Sequence, residues 1–247
     1  MLQEERFARI QILVDEQGSA TVQQLMTELD ASESTIRRDL GTMDERGMLT
    51  KVHGGALSNR TSIQTIDEDI RSRKQLHMED KVIIASYAAS LITDSDFVYL
   101  DAGSTTEEMI SHVEAKGATF VTNAIDQARI LSELGFRVFI LGGEFKSSTQ
   151  AIVGEEAVAT VDKYNFTKGF FGTNGITEKN GYTTPEVKEA MLKRKAMENC
   201  KECYILADAS KFGEISSVKF AEFDRATVIT TGLDKKGYKK YKNVKEV

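Results

Sequence analysis

Two groups of residues in this 247-residue chain have the types and spacing for chemistry. The first comprises Ser32, Ser34, Thr35, Arg37 and Arg38, with Lys51 and His53 a short way downstream. On a helix beginning at Glu33, Ile36, Leu40 and Met43 turn inward and leave the hydroxyls and both arginines outside. Such a helix fits the DNA major groove, where arginine donates twice to guanine and hydroxyls reach phosphates or base edges. Lys51 and His53 would touch the adjacent backbone. The plainer alternative is a solvated helix that carries two arginines.

The second group sits at the ends of short apolar runs. Asp101, Gly103, Ser104, Thr105 and Thr106 close the run at 97–101, and Thr122 and Asn123 close the next at 119–122. Gly142 and Gly143 follow 138–141, Thr173, Asn174 and Gly175 follow 169–172, and Asp208 and Lys211 follow 204–207. Glycine lets a backbone approach a ligand, while hydroxyls and free helix N–H groups donate to an anion. A turn with a capped helix explains any one of these motifs. All of them on one edge of a parallel sheet, where ligands bind beyond the carboxyl ends of the strands, imply a site for a phosphorylated small molecule.

The elements that must position these residues are legible from periodicity. Ile10, Leu13 and Val14 fall at helical spacing and Gly18 closes that segment. Thr21 to Gln24 is a capping box opening a second helix with Leu25 and Leu29 inside. Ser32 is an N-cap for the third helix, and 49–56, with its Gly-Gly turn, predicts a short hairpin. Residues 1–57 therefore predict a winged helix-turn-helix. The polar stretch 58–78 is the expected linker, its second half able to dock as a helix. From 79 to 247 the pattern alternates strand and helix, with a further strand at 227–230 and helices at 107–113 and 187–197. Short, continuously apolar strands separated by helices imply an α/β domain with a mostly parallel sheet covered on both faces.

Composition narrows the classes. With 40% hydrophobic and 28% charged residues the chain is neither disordered nor collagen-like. Its net charge of −6 supplies no global field for nucleic acid. Residues 1–57 hold six Lys/Arg against ten Asp/Glu, so DNA binding requires segregated charge, with Glu4, Glu5, Asp15 and Glu16 facing away. No stretch approaches the ~18 apolar residues of a membrane span, and the acidic start is unlike a signal peptide, so a cytoplasmic protein is expected. Cys200 and Cys203 follow a helix and enter a strand, the reverse of a redox motif, and lack further zinc ligands; structural thiols are expected. His77 and His112 are expected on the surface, and the lysines at 235–240 in a solvated terminus. Neither a metal nor a cofactor is expected.

The run Ser32-Glu33-Ser34-Thr35-Ile36-Arg37-Arg38-Asp39-Leu40, followed by Val52-His53-Gly54-Gly55-Ala56, resembles the DNA-binding signature of the DeoR family of sugar-operon repressors. The remainder resembles that family's C-terminal sensor domain, related in fold to ribose-5-phosphate isomerase and glucosamine-6-phosphate deaminase. By that resemblance the turn from Gly103 to Thr106 cradles a phosphate. Asn123, Asn174, Asp208 and Lys211 line the sugar end, with Lys188 nearby. The stretch after Pro185 is shorter than in many relatives. Segments 148–154 and 172–181 look most like fructose-operon repressors. The resemblance implies an oligomer, dimer or tetramer, that holds operator DNA and is released by a sugar phosphate such as fructose 1-phosphate. The rival is a sugar-phosphate isomerase or deaminase with an added N-terminal domain, in which Glu186, Asp101 or Asp208 would serve as acid or base.

Overall fold

The computed structural model describes residues 2–58, 65, 70–233 and 237–247. The chain divides into two compact units, Met1–Ile63 and Gln64–Val247. In the first, α1 (Gln3–Gln17) leads through β1 (Ser19–Thr21) to α2 (Val22–Leu29) and α3 (Glu33–Glu45), and β2 (Leu49–Val52) and β3 (Gly55–Ser58) form the wing. The expected capping box is present: the Gln24 N–H donates to Thr21 Oγ1 at 3.2 Å and the Thr21 N–H donates to Gln24 Oε1 at 2.9 Å. Phe7, Ile10, Val14, Leu25, Ile36, Leu40 and Met43 share one core. The structure adds β1, which pairs antiparallel with β3 to make a three-stranded sheet. That pairing needs Gly55, because a Cβ there would lie 2.3 Å from the Ala20 carbonyl oxygen.

The second unit opens with α4 (Ile70–Gln75) and α5 (Met78–Ser90). Its strands are β4 (Phe97–Leu100), β5 (Thr119–Thr122), β6 (Arg137–Ile140), β7 (Glu144–Lys146), β8 (Ala151–Val153), β9 (Phe166–Phe171), β10 (Gly175–Thr177), β11 (Gly181–Thr184), β12 (Cys200–Leu206), β13 (Val218–Ala221), β14 (Thr227–Thr230) and β15 (Val244–Glu246). Between them run α6 (Ser104–Met109), α7 (Ile125–Glu133), α8 (Glu155–Val161) and α9 (Val187–Glu198). Seven strands form one sheet in the order β15-β14-β12-β9-β4-β5-β6, every pair parallel.

Successive strand residues supply opposite faces. Val98, Phe120 and Phe170 pack with Ile84, Ala85 and Ala88 of α5, while Tyr99, Phe171 and Ile205 pack with Val161, Leu192 and Ala196. Cys200 and Cys203 are buried free thiols on β12.

Three features differ from expectation. A hairpin, β7–β8, and a small antiparallel sheet, β10-β11-β13, follow the main strands. The terminus is not simply solvated: β15 completes the large sheet, and Tyr238 and Tyr241 pack edge-on to Phe212 and Phe223 with centroids 5.0 Å apart. Of the linker and the lysine tail, 59–64, 66–69 and 234–236 lie outside the described residues. Among the described residues no helix is long and apolar enough to cross a membrane.

Asp96 pins the amino end of β4 to β9. Only 7% exposed, it accepts from the Thr93 N–H and Oγ1, both at 2.8 Å, from Thr167 Oγ1 at 2.7 Å and from Lys168 Nζ at 2.6 Å. Burial acts to raise this carboxyl, but Lys168 and the hydroxyl and amide donors outweigh it and bring its pKa down to about 2. A folded value below the unfolded one contributes stability above about pH 4 that is lost as pH falls toward 2. Asp96→Asn is expected to cost about 2 kcal/mol near neutral pH and to flatten the acid dependence, as read by urea denaturation across that range.

Candidate functional sites

In the first unit Ser32 caps α3, its Oγ accepting from the Thr35 N–H at 3.3 Å and lying 3.1 and 2.9 Å from the Ser34 and Thr35 hydroxyls. Ser32, Ser34, Arg37, Arg38, Lys51 and His53 are exposed and Thr35 is half-buried. The wing reaches the helix through Lys51 Nζ, which donates to the Arg37 carbonyl at 3.4 Å. Segregation of charge is visible in the pairs. Asp39, on the inner side of α3, is 1% exposed and takes a two-pronged bond from Arg6 at 2.5 and 3.1 Å. Glu4 reaches Arg46 at the far end of α3, 3.4 Å away. On the outer side Glu33 holds Arg37 at 2.7 Å, while Arg38 has no side-chain partner among the described residues.

In the second unit parallel pairing puts the carboxyl ends of β4, β5, β6, β9 and β12 on one edge. From β4 the chain winds outward to β5 and β6, then returns to β9 and winds the other way. The crevice between β4 and β9 is thus the switch point at which such sheets bind ligands. Asp101 lies there, 1% exposed, accepting from the Gly172 N–H at 3.1 Å and ion-paired with Lys193 of α9. Burial pushes this carboxyl above its ordinary value, against the pull of Lys193. One turn earlier on α9, Glu189 receives Thr149 Oγ1 at 2.8 Å, Lys146 Nζ at 3.0 Å and Thr184 Oγ1 at 3.3 Å.

Of the residues expected to hold the ligand, several face inward. Thr106 is fully buried and donates to the Asp101 carbonyl at 2.7 Å. Thr122 donates to Gln127 Oε1 at 2.9 Å, and Asn123 is used on both sides, accepting from the Ala102 N–H at 2.9 Å and donating to the Ile152 carbonyl at 3.1 Å. Thr173 Oγ1 lies 3.0 Å from the Gly175 and Thr183 carbonyls, and Gly175 is glycine because a Cβ would meet the Glu214 carbonyl oxygen at 2.4 Å. These residues brace the edge, since a buried hydroxyl or amide must find partners within the protein. Lys188 stands exposed, paired with Glu144 of β7, which raises its pKa. Gly142 and Gly143 are exposed at the outer end of the edge.

What remains half-exposed is the turn at Gly103 and Ser104, with Thr105 buried behind it. Gly103 offers α6 no side-chain cap, so the first N–H groups of that helix lack intrahelical acceptors. Asn174 and Lys211 are half-buried on the same edge, after β9 and β12 respectively. Burial would raise the Asp208 carboxyl, but its bonds from the Ser210 hydroxyl and N–H, with Lys211, hold it below the usual range. Sequence reasoning missed Lys193, Glu189 and Gln127. Their signal is polar residues at helical spacing among buried ones, Glu189 and Lys193 with Ala196 and Met197, and Gln127 with Leu131.

A winged helix-turn-helix joined to an α/β unit with a switch-point crevice is the architecture of a ligand-responsive transcription regulator. The DeoR-like helix-turn-helix domain matches residues 6–62 and the DeoR C terminal sensor domain residues 76–232, so the chain belongs to the DeoR family of transcription regulators. It is 41% identical to the uncharacterized HTH-type transcriptional regulator FruR of Bacillus subtilis (strain 168), over 98% of this chain and 96% of that one. It is 34% identical to the HTH-type transcriptional regulator IolR of the same strain, over 87% and 85% of the two chains. With the lactose phosphotransferase system repressor of Staphylococcus aureus (strain NCTC 8325 / PS 47) it shares 34% identity over 93% and 92%. The ribose 5-phosphate isomerase A of Methanocaldococcus jannaschii superposes with a TM-score of 0.40 at 16% identity over 53% of each chain.

Removing one member of a buried ion pair strands the other. Lys193→Met is expected to destabilise the second unit by about 3–5 kcal/mol, and adding Asp101→Asn to recover most of that loss, as measured by urea denaturation of the single and double variants.

Proposed function

We propose that this protein represses a sugar uptake or catabolism operon in the cytoplasm and is released from its operator by a sugar phosphate, fructose 1-phosphate first among them. Residues 1–57 are the DNA-binding domain, 58–78 the linker and 79–247 the sensor. Ser32, Ser34, Thr35, Arg37 and Arg38 read the operator and Lys51 and His53 steady the wing on the backbone. The observation that carries the effector reading is the uncapped turn at Gly103–Thr105 on the switch-point edge, whose amides suit a phosphate. Asn174, Asp208 and Lys211 take the sugar hydroxyls. The likeness to a regulator named FruR supports fructose, and the likeness to a lactose phosphotransferase system repressor supports a phosphorylated sugar. A dimer at least is required, because paired half-sites need paired readers.

The carboxylates offered for an isomerase or deaminase are otherwise engaged, which supports a sensor over an enzyme. Glu186 caps α9, accepting from the Lys188 and Glu189 N–H groups at 3.3 and 3.2 Å. Asp101 is bound to Lys193, and Asp208, bonded to Ser210 and held below the usual carboxylate range, is suited to accept sugar hydroxyls and not to deliver a proton.

Arg37→Ala and Arg38→Ala should each weaken operator binding without unfolding the domain, and at least one should relax sequence preference by about 1–3 kcal/mol. Salt-titrated gel shifts measure both, and unchanged affinity and preference in both variants would remove α3 as the reader. Fructose 1-phosphate should lower operator affinity about 5–150-fold, with free fructose ineffective because it lacks the charged hydrogen bonds. Thermal shift and operator release with a series of hexose phosphates rank the effectors, and release by free fructose at the same concentration would end the phosphate reading.

A further inference from the structure

The segment that enters the second unit lies along the same edge as the crevice. Ile70, 4% exposed, donates its N–H to the Ser148 carbonyl at 3.0 Å, in the loop between β7 and β8. Lys74 is ion-paired at 2.6 Å with Glu107 of α6, immediately after the Gly103–Thr106 turn. The far end of α4 is held by Lys81 of α5, 4% exposed, whose ammonium donates to the Arg73 carbonyl and, at 2.6 Å, to the Leu76 carbonyl. These carbonyls lie in the last turn of a short helix and just beyond it, where the helix itself supplies few donors; the Arg73 carbonyl also accepts from the Leu76 N–H at 3.3 Å. The corner between α4 and α5 is His77, with φ of +53°, a conformation that a non-glycine residue keeps only when its surroundings impose it. Asp208, Lys211, Arg73 and Glu108 are the charged groups whose fields act on Lys81.

Residues 70–77 thus run from the loop after β7 past the turn after β4. They carry Arg71, Arg73 and Lys74 and no acidic residue. The segment is cationic by sequence, and its described ion pair to α6 is a partly exposed one, a kind that holds weakly.

We propose that residues 70–77 are a strap that an anion bound at this edge draws shut, that Lys81 is its latch, and that its closure carries effector occupancy toward the DNA-binding unit. The proposal rests on the effector site assigned above. Its electrostatics follow from charge sign alone, since cations and an anion on one low-dielectric edge attract more strongly than in water. Its position in the chain follows from sequence, since the strap is the first described helix after the reader unit.

The test uses the full chain, wild type, Lys81→Met and Lys74→Ala, with fructose 1-phosphate as the probe. Lys81→Met keeps the buried stem and removes the donors; Lys74→Ala opens only the α6 contact and guards against misfolding of the first variant. Both should bind operator as tightly as wild type without the probe and need at least about tenfold more of it for release. Trypsin should cut after Arg73 and Lys74 in Lys81→Met at least about tenfold faster than in wild type, with the wild-type cut slowed by the probe. Release of both variants at the wild-type probe concentration overturns the strap while leaving the effector site intact. If the probe fails to release even wild type, the effector assignment falls, and the tryptic rates alone decide the latch: faster cutting in Lys81→Met supports it, and equal rates overturn it.

Discussion

The bond between Asp101 and Lys193 governs the second unit. It joins the end of β4 to α9 across the point where the winding of the sheet reverses, and the Gly172 N–H ties in the end of β9. Neither charge is tolerable alone at this depth, because the desolvation of each is offset only by the other and by the bonds around it. Meeting that condition brings α9 over the crevice. The same helix then delivers Glu189 to Lys146 and Thr149, which fixes the β7–β8 hairpin at the margin of the same edge.

Around this centre most polar side chains of the edge are consumed in holding it. Gln127 links the Thr122 hydroxyl, the Thr106 hydroxyl and the Asp101 carbonyl within 3.2 Å, and Asn123 bridges the backbones at Ala102 and Ile152. A floor built this way has little freedom to rearrange, and under the function proposed above recognition falls to backbone amides of the α6 turn and the half-buried groups on the same edge. That division suits a sensor, where a rigid site converts ligand contact into movement of neighbouring elements.

The reader unit solves a different electrostatic problem. Its sequence is acidic, yet the face expected to meet DNA need not be. Asp39 is turned into the core and neutralised by Arg6, and Glu4 is turned to the far end of α3. The helix surface at Arg38, with Lys51 and His53 on the wing, is left with cationic and polar groups. Net charge counts residues, whereas association follows the field on one face.

The sequence by itself determined what local periodicity encodes. The three helices with their Thr21 and Ser32 caps, the wing and six of the parallel strands rest on neighbours within a few residues, whose spacing survives in the linear chain. It also located the polar motifs at the strand ends, because turns need the same residue types wherever they occur. Tertiary structure alone decided the strand order, the short strands β1, β10, β11, β13 and β15, and the direction each motif residue faces. Thr106, Thr122 and Asn123 have ligand-binding chemistry but point into the edge they support. Lys193 meets Asp101 from 92 residues away, and no local pattern encodes a contact of that separation. It forms because folding buries both charges together, and neither is stable at that depth without the other.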